Sequence, residues 1–364
     1  GPNNTTGPWQ VTPWQGSQPG AGQWQVQVPV PSRQRSKVKT LFLVVFFIIV
    51  GLVFFARLAS SAIDSDRVPP QPEYSPAAEE TTEPVEAEET PAPLTNYEND
   101  AYQVPPPDLN PPPIPIPKRL STARSWLVNN DLYNQRTPRP IRCELGNIDM
   151  RSASNKQIER HLNKAMACMM RTWGPTLDEA GFVAVRPSIT VYSRPISNRC
   201  GTTDMGNAQY CTADQQVYVA SDLLQRLMPS RKKTRFVGET ILAHEFGHAI
   251  QARSGIFASE FIFEDKARSK KEKNNLSRRL EMQADCFAGL FIGSIAESTK
   301  LKPAEAATLV KLAHSMGDDV LSGRSQIDGN HGLGKNRKYW LKQGLHDDKV
   351  SVCNTFTANA NQVR

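Results

Sequence analysis

The sequence predicts an α+β domain, carried behind a single membrane-spanning helix and segments that build no core of their own. Three observations predict it. Residues 244–248 read His-Glu-Phe-Gly-His inside a stretch that is apolar almost all round, as a buried helix is. Residues 188–192 and 216–220 are β-branched and alternating or apolar, which reads as strands. Between residues 41 and 56 the chain is apolar throughout, and a Pro-rich acidic stretch follows it.

In chain order, residues 1–39 form a Gln/Pro/Trp-rich tail with a basic end. Its loose Pro-Trp-Gln recurrence has no apolar periodicity, so it is expected to be disordered, and the sequence names no partner for its tryptophans. Residues 40–63 are expected to cross a membrane as an uncleaved anchor; the alternative is a signal peptide cleaved near the small residues Ala59-Ser-Ser-Ala. Leu41–Ala56 alone covers about 24 Å of helix, and Leu58–Ile63 extends it, with Arg57 at the interface. Arg33, Arg35, Lys37 and Lys39 precede it, which places the N-terminus in the cytoplasm and the rest of the chain outside it. Residues 64–118 read as an extended Pro-rich, acidic linker. Residues 119–364 are then a globular domain, long enough to bury a substantial core.

Within that domain, Ser154 or Asn155 caps a helix whose Ile158, Leu162, Ala165, Met166 and Met169 recur at helical spacing. His161 between Arg160 and Leu162 is expected at the surface. After the strands, Val237-Gly-Glu-Thr-Ile-Leu-Ala leads into the histidine motif, and Gly255 offers a C-terminal stop. Residues four apart share a helix face, so His244 and His248 can grip one metal ion while Glu245 reaches its water. A catalytic zinc takes three protein ligands and leaves a position open. Glu281 is the candidate third ligand. Asp285, four residues on and on the same face, can accept the outer ring N–H of a liganding histidine. The run Cys286-Phe-Ala-Gly-Leu-Phe-Ile-Gly argues that this second helix is buried too, where carboxylates need a metal or a cation. The basic stretch Lys266–Arg279 between the two is expected to be a surface loop or a helix start.

The net charge of +7 sits in scattered clusters with no RNA- or DNA-binding fingerprint, so nucleic acid is not an expected partner. All six cysteines lie in the part expected outside the cytoplasm, and an even count there suggests three disulfides. Cys200 and Cys211 close a short Gly-containing loop and are paired. Three pairings remain for the other four, and Cys143 with Cys168 and Cys286 with Cys353 is the one expected. No Cys-x-x-Cys pair exists to make a zinc-cysteine site.

These motifs carry a resemblance. His244-Glu-Phe-Gly-His-Ala-Ile-Gln followed by Glu281-Met-Gln-Ala-Asp-Cys-Phe-Ala-Gly resembles the bacterial family called putative neutral zinc metallopeptidases. Cys200-Gly, Tyr210-Cys, Val217-Tyr-Val, Gly317-Asp-Asp, His331-Gly with Arg337, Trp340, Gly344 and Cys353-Asn-Thr-Phe follow the same pattern over about residues 155–356. The sequence departs from it at Lys266–Lys273 and between His331 and Arg337. The resemblance implies a gluzincin-type zincin: a small sheet whose edge strand lines the cleft, an active-site helix, and a second helix bringing the glutamate.

The expected chemistry is peptide hydrolysis with one zinc ion per chain, on a protein or peptide substrate. His244, His248 and Glu281 hold the zinc, which activates a water. Glu245 takes the proton and passes it to the leaving amine. His331 stabilises the oxyanion, with Arg337 orienting it or the substrate. Gln216–Ala220 is a candidate to pair with extended substrate, and Gly317-Asp-Asp to cap a helix. The alternative is a zincin-fold binding or scaffold protein of the cell envelope with little or no hydrolysis. An intact Glu245 argues against it, since a non-catalytic protein has no physical need for that base.

Overall fold

A computed structural model describes residues 96–227 and 235–364. The tail at 1–39, the expected membrane helix at 40–63 and the linker up to residue 95 lie outside the described residues. Among the described residues no helix is long and apolar enough to cross a membrane.

The helices and strands run as follows: α1 Leu120–Val128, α2 Asn155–Glu179, β1 Ile189–Tyr192, β2 Ile196–Asn198, β3 Gly201–Thr203, β4 Ala208–Cys211, β5 Gln216–Ala220, α3 Ser221–Leu227, α4 Val237–Arg253, α5 Ile256–Lys266, α6 Lys270–Ser294, α7 Pro303–Ser315, α8 Asp318–Ser322 and α9 Gly334–His346. This is a mixed α+β architecture, mostly helical, as the sequence predicts. A three-stranded sheet has the order β1-β5-β4, with β1 parallel and β4 antiparallel to β5, and β2 and β3 form a separate antiparallel pair.

The central element is α4. Every one of its residues is buried, so no face is left for solvent, as its unbroken apolar pattern requires. It ends where Gly255 takes up a left-handed backbone at φ 73°, and the chain turns at once into α5. The sequence had offered no sign of α5. The basic stretch expected as a loop or helix start is the beginning of α6, capped by Ser269, whose hydroxyl accepts from the Glu272 N–H. Helix α2 opens on Ser154 with a capping box to Gln157, and its Ile158, Leu162, Ala165, Met166 and Met169 stripe is fully buried.

Close helix approach depends on glycine at several places, two of which frame α6. A Cβ on Gly247, inside the histidine motif, would lie 2.9 Å from the Cα of Ala284 on α6. A Cβ on Gly344 of α9 would collide with the Cys286 carbonyl of α6. Helix α6 is therefore pinned between α4 and α9 at backbone contact distance. The three disulfides pair Cys143 with Cys168, Cys200 with Cys211, and Cys286 with Cys353.

Three expectations are corrected. The domain does not begin at residue 119. Residues 96–118 run extended over it: Arg253 Nη1 donates to the Pro112 carbonyl at 2.9 Å, Gln216 Nε2 to the Asp108 carbonyl at 2.9 Å, and Tyr102 packs on Gly174. A Pro-rich chain has few donors but keeps all its carbonyls, and buried Arg and Gln side chains satisfy them. His161 is not at the surface. It is 7% exposed and pairs with the buried Glu239 of α4 at 2.6 Å. Strand β5 lies in the middle of its sheet with both edges taken, so it is not open to substrate pairing; β1 and β4 are the edge strands.

Candidate metal centre

Helix α4 sends His244 and His248 out on one face, and α6 brings Glu281 against them. Glu281 Oε2 lies 3.3 Å from His244 Nε2, and Oε1 lies 3.6 Å from His248 Nε2. The three ligand atoms all fall within 4.8 Å of one another, and all three residues are buried. Two N/O donors about 2.1 Å from a tetrahedral ion stand about 3.4 Å apart, so this spacing fits one zinc-sized ion. His248 Nε2 is buried without a hydrogen-bond partner among the described residues. Buried polar atoms of that kind are costly unless something coordinates them. The cluster can hold a metal ion.

Each histidine is oriented from behind. His244 Nδ1 lies 2.9 Å from Asp285 Oδ1, and a carboxylate can only accept, so Nδ1 carries the proton and Nε2 faces the cluster. His248 Nδ1 lies 2.8 Å from Gln251 Oε1. Gln251 in turn donates to the Leu280 carbonyl at 2.8 Å and to Gln283 Oε1 at 3.1 Å, which fixes its amide orientation. Gln251 was missed in the sequence, although its position three residues after His248 puts it on the same helix flank.

Charge organises the group. Burial pulls the His244 imidazole down, but the Asp285 and Glu281 carboxylates outweigh it and hold it up at about 9. Burial takes His248 down to about 4. Burial would raise Glu281, yet His248, His244 and His331 hold it well below the usual carboxylate range. Asp285 is likewise held low, with Arg337 and His244 overcoming its burial.

Glu245 is fully buried, and its Oε2 accepts the Tyr210 backbone N–H at 2.8 Å. Edge strand β4 thus touches the motif glutamate directly, a contact no sequence spacing reveals. Arg337 does not sit where a substrate group would. It is fully buried on α9 and bonds both oxygens of Asp285 at 2.8 Å, so the group it orients is Asp285 behind His244, where the expectation was His331 or the substrate. His331 is part-buried, with Nδ1 3.3 Å from Asp318 Oδ1, and close enough to Glu281 to help hold its carboxyl low. Asp318 Oδ2 accepts the His331 and Gly332 backbone N–H groups at 2.9 and 2.8 Å. The first acid of Gly317-Asp-Asp therefore holds the turn that carries His331, while Asp319 accepts the Gly334 N–H at 2.8 Å. His314 lies on α7 and lines a cavity together with Lys311 and Lys342.

A family model described as "Putative neutral zinc metallopeptidase" matches residues 129–356. Among curated proteins, the chain is 27% identical over 236 residues to the uncharacterized protein YpfJ of Escherichia coli strain K12, covering 62% of this chain and 80% of that protein. It is 26% identical over 205 residues to the uncharacterized protein Mb2605 of Mycobacterium bovis, covering 51% of this chain and 66% of that one. The uncharacterized protein Rv2575 of Mycobacterium tuberculosis matches to the same extent, 26% over 205 residues. No solved structure matches the chain.

Proposed function

This chain belongs to the neutral zinc metallopeptidase family, and from that premise we propose that it hydrolyses peptide bonds of protein or peptide substrates, with His244, His248 and Glu281 holding one zinc ion. The observation that carries the reading is the placement of Glu245: a buried carboxylate, next in sequence to a metal-facing histidine and held at 2.8 Å by the Tyr210 N–H of the edge strand. A structural metal site has no use for such a group. A bound zinc supplies Lewis acidity, polarising a carbonyl and lowering the pKa of water. Glu245 is the base that takes a proton from the attacking water and returns it to the departing amine. The Tyr210 N–H orients its carboxylate for that transfer. His331, held by Asp318, donates to the oxygen on which negative charge develops. Asp285 and Arg337 fix the tautomer and direction of His244 and are positioning residues.

The three disulfides favour work outside the cytoplasm, where such bonds persist. In this reading residues 40–63 anchor the domain to the cell membrane by a single helix, with the N-terminus in the cytoplasm.

The test is zinc content together with hydrolysis of an unbiased peptide library, by the native chain and by Glu245→Gln. The expected result is one zinc per chain in both and cleavage in the native chain alone. Loss of zinc or of folding in Glu245→Gln would show that Glu245 is a structural group and not the base.

A further inference from the structure

A cavity of about 630 Å³ opens beside the metal centre, between α5, α6 and the loop at 324–330, and Glu281 is part of its wall. Phe257 joins the two sites, since it lines the cavity and also meets the His248 ring edge-on at 6.4 Å. Four carboxylates border the cavity: Glu260, Glu264, Glu281 and Asp328. Three of them are accounted for. Glu281 faces the two histidines, Asp328 bridges to Arg278 at 2.7 Å, and Glu264 is half-buried at the cavity edge, where burial raises its carboxyl and Lys273 partly opposes the shift. Glu260 is different. It is 3% exposed, and its Oε1 is buried with no hydrogen-bond partner among the described residues. Burial, with Glu264 and Glu281 nearby, pushes its carboxyl well above the usual carboxylate range. An unsatisfied buried carboxyl costs stability that a Leu would not.

We propose that this cavity is a specificity subsite for a lysine or arginine side chain of the substrate, with Glu260 as the carboxylate that receives its charge. The proposal rests on the peptidase reading and names the substrate class it would take. Phe257 and Phe261 supply apolar walls for the methylene stem, and Glu260 supplies the acceptor at depth. Lys270, Lys273 and Arg324 also border the cavity. Of these, Lys270 and Arg324 are exposed, and Lys273 is half-buried on the side of Glu264, whose carboxyl its charge lowers. A site built to bond one charged group rejects the analogue lacking it, because the buried acceptor is then left unsatisfied.

The experiment uses the zinc-loaded full chain carrying Glu245→Gln, so that peptides bind without being cut. A peptide series carries one lysine walked through each position, and each member is matched by a norleucine peptide that keeps the stem and loses the ammonium. Calorimetry should show the lysine form binding about tenfold or more tighter at one position. Adding Glu260→Gln should erase that difference, with zinc content and Tm retained. The first comparison needs no change at Glu260 and so does not depend on that variant folding. Binding with no lysine preference, or a preference that survives Glu260→Gln, overturns the subsite and leaves the peptidase reading standing. A lysine preference with no cleavage by the native chain overturns the peptidase reading and leaves the subsite. No binding at any position overturns both.

Discussion

Arg337 grips Asp285 through two 2.8 Å hydrogen bonds, one to each carboxylate oxygen, and Asp285 Oδ1 also accepts the His244 Nδ1 proton at 2.9 Å. A guanidinium on α9 thereby sets the direction of a histidine on α4 through an acid on α6. The bidentate fork fixes the plane of the carboxylate, and the carboxylate fixes the ring.

Arg337→Met should therefore damage the metal centre without touching substrate. Removing one partner of a buried pair costs about 3–5 kcal/mol, and loss of the outer support costs about 10–100-fold in metal affinity. Thermal melts and a competitive chelator titration read both. A variant with native zinc affinity but a raised KM would return Arg337 to the substrate side.

Gly247→Ala tests the close approach of α4 and α6. Alanine favours the helix by up to about 1 kcal/mol, but overpacking costs about 1–3 kcal/mol. The added Cβ would sit 2.9 Å from a backbone atom of Ala284, which cannot swing away as a side-chain tip can. Overpacking is expected to win, so Tm falls. Zinc affinity falls with it, because Glu281 and Asp285 move with α6. An unchanged chelator titration would mean that the helices have slack between them.

Zinc uptake should release about one proton per chain near pH 7. In the metal-free protein His244 is held up at about 9 and is protonated there, His248 is down at about 4 and is not, and Glu281 is already ionised. The ion must displace the His244 Nε2 proton. Affinity then drops about tenfold per pH unit below about pH 9, and this proton's contribution disappears above it. Calorimetry in buffers of different ionisation enthalpy counts the protons. No release from the ligands at pH 7 would mean that His244 is neutral before the metal arrives.

His331→Gln should lower kcat by about 100-fold or more with zinc content unchanged, as loss of an oxyanion donor does. Asp318→Asn should give a smaller loss, since backbone contacts to the turn survive in part. The double variant should be no worse than His331→Gln alone, because the acid acts through the histidine. Additive losses would show that Asp318 has a separate task.

Much of the metal centre was legible before any fold was known. His244 and His248 four apart, Glu281 and Asp285 four apart, and the unbroken apolar context of both segments are periodic facts, and a helix turns periodicity directly into a shared face. The capping box at Ser154, the β-branched runs that became β1 and β5, and the short Cys200–Cys211 loop were equally local, whereas the other two disulfides span 25 and 67 residues and were open to three pairings until the fold closed them. What stayed hidden involved contacts between segments distant in the chain. Glu245 meets the Tyr210 N–H across 35 residues, His161 meets Glu239 across 78, and Arg253 meets Pro112 across 141. Composition marked residues 96–118 as unable to form a core alone, but could not say that another surface would bind their carbonyls. Arg337 and Glu260 show the same division. One is a cation with an unknown partner and the other an acid in a short helix, until packing surrounds each and decides which charge is paired and which is left facing a cavity. Sequence determined which residues share a helix face, because that depends on spacing alone. Tertiary structure decided which faces meet, because burial and pairing depend on where the rest of the chain returns.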